Sequence, residues 1–289
     1  MEARFFFGQA CYWGQGVEED KAEAAKWFRL AAAQGHARAR LNLGQVFYFG
    51  EGVEENKAEA ARWFRESAEQ GQATARYYLG VVCYWGQGVE KDQSEAAKWF
   101  RLAAEQGDSK ARNSLGEAYD LGQGVEKDKT EAAKWFRLAA EQGHAEAQYN
   151  LGLAYSLGQG VEEDQAEAVR WYRRAAEHGN SEAGYRLGVA YDFGRGVEKD
   201  QSEAARWFRR AAEQGHVEAQ FLLGVAYDCG RGVEEDKAEA VKWYRRAAEQ
   251  GHAEAQKNLG VAYYYGEGVA EDQAEAAKWF RLAAEQGCA

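Results

Sequence analysis

The second glycine of a GxGV turn falls at Gly16, Gly52, Gly88, Gly124, Gly160, Gly196, Gly232 and Gly268, a constant step of 36 residues. Trp27, Trp63, Trp99, Trp135, Trp171, Trp207, Trp243 and Trp279 keep the same step. Eight copies account for 288 of the 289 residues. A period of this size marks stacked repeats, each too small to bury its own apolar face and completed by its neighbours. The period also answers a question raised by GQGVEKD, residues 122–128, whose glycines and carboxylates could pass for a phosphate or metal loop. A reactive loop is needed once; a structural turn is needed in every copy.

Each copy predicts two helices. In the fourth, the second helix runs from Asp128 to Gln142, with Asp128 as N-cap and Glu131 completing a capping box. Gly143 suits a left-handed terminus. Ala132, Trp135, Phe136, Ala139 and Ala140 fall at helical spacing as the buried stripe. The first helix of the fifth copy covers Ala145–Leu157. Gly152 inside it recurs in all eight copies, which predicts a close helix–helix approach. The fold class is therefore all-α: a solenoid of antiparallel helix pairs. One repeat domain is expected over 1–289, divided at 1–36, 37–72, 73–108, 109–144, 145–180, 181–216, 217–252 and 253–288.

Residues 145–179, AEAQYNLGLAYSLGQGVEEDQAEAVRWYRRAAEHG, carry the motif AEAxxxLGxxY, GxGV, AxxW[FY]RxAAxxG. The motif resembles the Sel-1-like repeat family, bacterial-type relatives of the tetratricopeptide repeats, over the whole chain. The resemblance implies a right-handed superhelix with adaptor or scaffold roles and no catalysis. One departure is plain. The family often has proline after GV, whereas this chain has Glu18, Glu54, Glu90, Glu126, Glu162, Glu198, Glu234 and Ala270. That raises the alternative of an engineered, consensus-like scaffold with no dedicated ligand. A family branch known for two cysteines in every repeat is not matched, so its activities are not implied.

Composition narrows the partners. Proline is absent, where average usage would give about 14, so glycines must make the turns. The net charge of −11 argues against nucleic acid. No apolar run reaches the ~18 residues of a membrane span. MEARFFFGQ lacks the pattern of a signal peptide. The expectation is a soluble protein, cytoplasmic unless a leader was removed. The Phe5–Phe7 start suggests end-to-end self-association as a second mode of contact.

The copies differ on one face of the first helix, the face expected to line an inner groove. There, ten of twelve residues in repeats one to three are aromatic, including Tyr12, Trp13, Tyr48, Phe49, Tyr77, Tyr84 and Trp85. In repeats four to seven four of sixteen are, Tyr149 among them, and Asp120, Asp192 and Asp228 replace tyrosine. Tyr264 returns in the eighth. This pattern predicts a concave peptide-binding groove, aromatic in one half and acidic in the other, for a protein or peptide with a basic segment. Tyr12, Tyr48 and Tyr84 are expected to be the exposed anchors. Trp13, Phe49 and Trp85 are the ones that could instead pack on the neighbouring first helix. The aspartates could instead pair with Arg195 and Arg231, three residues beyond Asp192 and Asp228.

No other constellation suggests chemistry, and no cofactor or metal is expected. His36, His144, His216 and His252 share one repeat position. Packed helices lie ~8–10 Å apart, too far for their ladder to hold one ion, so they read as turn or N-cap residues. Cys11 and Cys83, two repeats apart, read as buried thiols beyond disulfide reach. Cys288 near the end could bridge two molecules. Acidic runs such as Glu18-Glu19-Asp20 read as caps and solvated turns, because lysine interrupts other copies.

Overall fold

An aspartate or asparagine starts every second helix. In a computed structural model describing residues 1–287, the Asp128 carboxylate accepts the backbone N–H groups of Thr130 and Glu131, both at 2.9 Å. Asp200 and Asp272 likewise accept two N–H groups, and Asp20, Asn56, Asp92, Asp164 and Asp236 accept the N–H of the third residue on in their copies. The reciprocal half of the capping box does not form. Asp128's own N–H donates to the Tyr119 carbonyl at 3.0 Å, tying the second helix to the end of the first. Glu131 turns instead to Lys134, 3.0 Å away.

Among the described residues the secondary structure is helical, in two compact units of four repeats each, Met1–Gln142 and the remainder from Gly143. The first holds α1 (Glu2–Trp13), α2 (Lys21–Ala32), α3 (Ala37–Phe49), α4 (Lys57–Glu69), α5 (Ala73–Trp85), α6 (Gln93–Glu105), α7 (Ser109–Leu121) and α8 (Lys129–Ala140). The second holds α9 (Ala145–Leu157), α10 (Gln165–Glu177), α11 (Ser181–Phe193), α12 (Gln201–Glu213), α13 (Val217–Cys229), α14 (Lys237–Glu249), α15 (Ala253–Tyr265) and α16 (Gln273–Glu285). Within each unit a first helix packs on the second helix of its own repeat and on that of the preceding one. This is an all-α solenoid.

The packing explains the invariant residues. Leu43, Leu79 and Leu115 in the first unit, and Leu151, Leu187, Leu223 and Leu259 in the second, are fully buried. Gly152 faces the Tyr172 ring so closely that a Cβ would sit 2.7 Å from it, as the recurrence of glycine here predicts. The second glycine of GxGV has a different duty. At Gly88 a Cβ would fall on the peptide between Lys57 and Ala58, at the start of the preceding repeat's second helix. Gly16 has the same backbone conformation but meets nothing within 4 Å. Gly143, past the end of α8, has the left-handed φ of 85° expected of it.

The histidines cap the first helices. His36, His144, His216 and His252 accept the N–H of Ala39, Ala147, Ala219 and Ala255 through Nδ1, at 3.1–3.2 Å. Three of these rings also stack on an aromatic of the previous first helix: Phe5 on His36, Tyr185 on His216 and Phe221 on His252, at 4.4, 4.7 and 4.5 Å. Cys11 and Cys83 are buried, as expected. Cys288 lies outside the described residues.

Candidate functional site

Two neighbouring positions at the end of the first helix in repeats one to three take opposite roles, and they reverse the expected ones. In the first unit the Tyr12 hydroxyl donates to the Glu51 carboxylate in the glycine turn of the next repeat. Tyr48 reaches Gln87 at 2.6 Å and Tyr84 reaches Gln123 in the same register. These tyrosines are half-buried struts between repeats, not exposed anchors. Lys57 lies over the Tyr48 ring, 3.8 Å from its centre, and Lys21 over Tyr12 at 5.2 Å. The next residue along is the open one. Trp13, Phe49 and Trp85 are 64%, 53% and 64% exposed. Each touches its own tyrosine edge-on at 4.8–4.9 Å. Helix geometry explains the split: successive residues are 100° apart, so the tyrosine points at the next repeat and its neighbour points past it.

Between Trp13 and Phe49 lies a pocket of about 450 Å³. Its floor is Val46 and Phe28, and its polar lining is Gln9, Asn42, Gln45 and Glu51. Glu51 is committed: it holds Tyr12 and also Lys21, at 3.0 Å. Burial works to raise its carboxyl, and those two hydrogen bonds outweigh burial and hold it below the usual carboxylate range. Burial and the Glu51 contact push the Tyr12 hydroxyl up to about 12. Gln9, Asn42 and Gln45 are partly buried and make no hydrogen bond with the described residues. Each offers two N–H donors and an acceptor, the complement of a peptide unit. Gln9 and Gln45, one repeat apart, carry no signal across the repeats, because other copies hold valine, leucine or glutamate there.

Farther along the same unit, Tyr77, Tyr84, Trp85 and Leu121 border a smaller pocket of about 210 Å³. Tyr77 is half-buried against Tyr78 and Phe100. Asp120, at the tyrosine position of repeat four, is held by Lys129, nine residues on and across the turn, at 2.5 Å.

In the second unit Asp228 is likewise engaged, by Lys237 at 2.9 Å, and not by Arg231. Asp192 has no ion pair among the described residues, and Arg195 lies over the Phe193 ring at 5.2 Å instead of pairing with it. The expected acidic half is thus largely neutralised where it meets lysine. Tyr149 is half-buried near Tyr172, ring centres 6.0 Å apart. Tyr264 is exposed and touches Tyr265. Phe6 and Phe7 are exposed, while Phe5 is buried. Among the described residues no group of three or more histidine, cysteine, aspartate or glutamate side chains could hold a metal ion, and no helix is long and apolar enough to cross a membrane.

Known proteins repeat this architecture. The model of the Sel1 repeat matches residues 2–36, 37–72, 73–108, 109–144, 145–180, 181–216, 217–252 and 253–288. A Sel1 repeat protein from Oxalobacter formigenes is 33% identical over 99% of this chain and 83% of its own, with a TM-score of 0.78. A protective antigen present in uropathogenic Escherichia coli strains, displaying an SLR fold, is 35% identical over 99% of this chain and 69% of its own, with a TM-score of 0.74. No curated protein sequence matches the chain.

Proposed function

The chain belongs to the Sel1 repeat family, and from that premise we propose that it is a non-enzymatic protein-interaction module whose first-helix face in the N-terminal unit holds an extended segment of a partner protein. Proteins of this repeat type generally serve as interaction scaffolds. The observation that carries the reading is the pocket between Trp13 and Phe49, where three unengaged carboxamides lie between two exposed rings. Exposed Trp and Phe supply contact area at low entropic cost. Gln9, Asn42 and Gln45 supply the polar groups that fix a backbone in register. Glu51, already shared by Tyr12 and Lys21, sets the pocket wall and is not a docking charge. The struts from Tyr12, Tyr48 and Tyr84 hold successive repeats in fixed register, so the site is formed before the partner arrives and little order must be gained on binding.

The test is affinity capture from a cell lysate, with the wild type beside a Trp13→Ser, Phe49→Ser, Trp85→Ser variant of unchanged circular dichroism. A protein retained by the wild type and lost by the variant supports the reading. Equal capture by both, or capture by neither, sinks it and favours a scaffold with no ligand at this face.

A further inference from the structure

The same seam between repeats occurs in the second unit with its chemistry inverted. A pocket of about 450 Å³ there is lined by Leu153, Ser156, Leu157, Arg186, Val189 and Arg195, among others. These are the residues four repeats on from Gln9, Tyr12, Trp13, Asn42, Gln45 and Glu51 of the first pocket. Carboxamides have become Leu153 and Val189. The carboxylate has become an arginine, and an amide has become another.

The two arginines are not equivalent. Arg186 holds Glu182 at 3.0 Å, and Glu182 also meets His216 Nε2 at 2.9 Å. Arg195 is exposed, and its described side-chain contact is the Phe193 ring. No carboxylate approaches it within ion-pairing distance among the described residues. At the corresponding place in the first unit, Glu51 takes a hydrogen bond from Tyr12. Here Ser156 replaces the tyrosine and makes its contact with Gln165. Arg195 therefore projects at the rim of an aliphatic pocket without its own counter-ion. Such a rim matches a ligand that presents a carboxylate next to an aliphatic group.

We propose that this second-unit pocket binds an acidic peptide segment, seating an aliphatic side chain between Leu153, Leu157 and Val189 and an adjacent Asp or Glu carboxylate on Arg195. The carboxylate comes from a side chain and not from a chain terminus. The seams recur at every repeat, so a segment lying along them crosses the pocket and does not end in it. The occupant is thus opposite in charge to the basic segment that the aspartates suggest in the sequence. The site is separate from the one in the first unit, and either can fail without the other.

The probe is a fluorescein-labelled peptide of alternating leucine and glutamate, with a fluorescein-capped N-terminus and an amide C-terminus, titrated against the full chain by fluorescence anisotropy. Its glutamine counterpart is titrated in parallel, once amidated and once with a free C-terminal carboxylate. The glutamate peptide is expected to bind about tenfold more tightly than the amidated glutamine peptide, since a charge-assisted hydrogen bond is being removed. Arg195→Gln is expected to erase that difference. Arg231→Gln, the same change one repeat farther on, is expected to preserve it. Equal binding of glutamate and amidated glutamine peptides overturns the proposal, as does no binding by either. Equal losses in Arg195→Gln and Arg231→Gln overturn it in favour of diffuse charge attraction. Tight binding confined to the free-carboxylate peptide overturns it in favour of a chain terminus.

Discussion

Replacing Gly88 by alanine tests how the repeats are joined. Gly88 has φ 74°, in the left-handed region, and its Cβ would fall on the backbone between Lys57 and Ala58. Two controls separate the two effects. Gly16 holds the same place in the first repeat with φ 76°, and Gly71 sits in an internal repeat with φ 90°; a Cβ at either meets nothing within 4 Å. All three substitutions carry the left-handed strain of a residue with a Cβ, about 1–2 kcal/mol. Gly88→Ala alone must also push back the start of α4, which is backbone and cannot swing away as a side chain can. Overpacking of this kind costs about 1–3 kcal/mol, so Gly88→Ala should lose about 2–5 kcal/mol in total. Stability in a solenoid is a sum of repeat and interface contributions. The loss should therefore fall on the interface between the second and third repeats. Denaturant unfolding followed by circular dichroism, with amide hydrogen exchange to locate the opening, reads both. If Gly88→Ala matches Gly16→Ala and Gly71→Ala within about 0.5 kcal/mol, the tight inter-repeat contact is refuted.

The two positions at each first-helix terminus should separate in stability. Tyr48→Phe removes the hydroxyl that donates to Gln87 and should cost about 0.5–1.5 kcal/mol in thermal unfolding; Phe49→Ser at the exposed neighbour should stay within about 0.5 kcal/mol. In a Cys288→Ser background at pH 8, a thiol reagent should label exposed Cys229 first. Cys11 and Cys83 should react only on unfolding, because burial raises both thiols, Cys83 to about 11. Alkaline pH should destabilise the fold. Burial raises the Tyr12 and Tyr172 hydroxyls to about 12, so above about pH 10 the unfolded chain releases those protons first, and stability falls as pH climbs toward 12. A denaturation midpoint that stays flat from pH 9.5 to 11.5 would contradict this.

The helices, their caps and the close-packed glycines were legible because each is a local rule printed eight times. Gly152 and its counterparts could be read as contacts without coordinates, since glycine inside a helix needs a reason. The relation of Tyr12 to Trp13 could not. Both lie on the variable face, and which one is open depends on a hydrogen bond to a turn 39 residues away. The partners of the aspartates depend on the fold in the same way. Helical spacing offers Asp228 an arginine three residues on, but Asp228, like Asp120, meets a lysine nine residues on because the glycine turn folds the second helix back. Only the fold brings Gln9 beside Asn42, or Leu153 beside Arg186. A comparison of columns across copies marks which positions vary, but not which variable positions meet.

The most direct test of the binding face is photocrosslinking in a cell lysate, with benzoylphenylalanine placed at position 49 in one protein and at position 30 in another. Phe49 borders the pocket of the first unit, whereas Leu30 is 47% exposed on a second helix and outside that pocket. A discrete crosslinked adduct is expected from position 49, none from position 30, and loss of the adduct when Asn42→Ala and Gln45→Ala are added. Adducts of equal yield from both positions, or from position 30 alone, would contradict the proposed binding face.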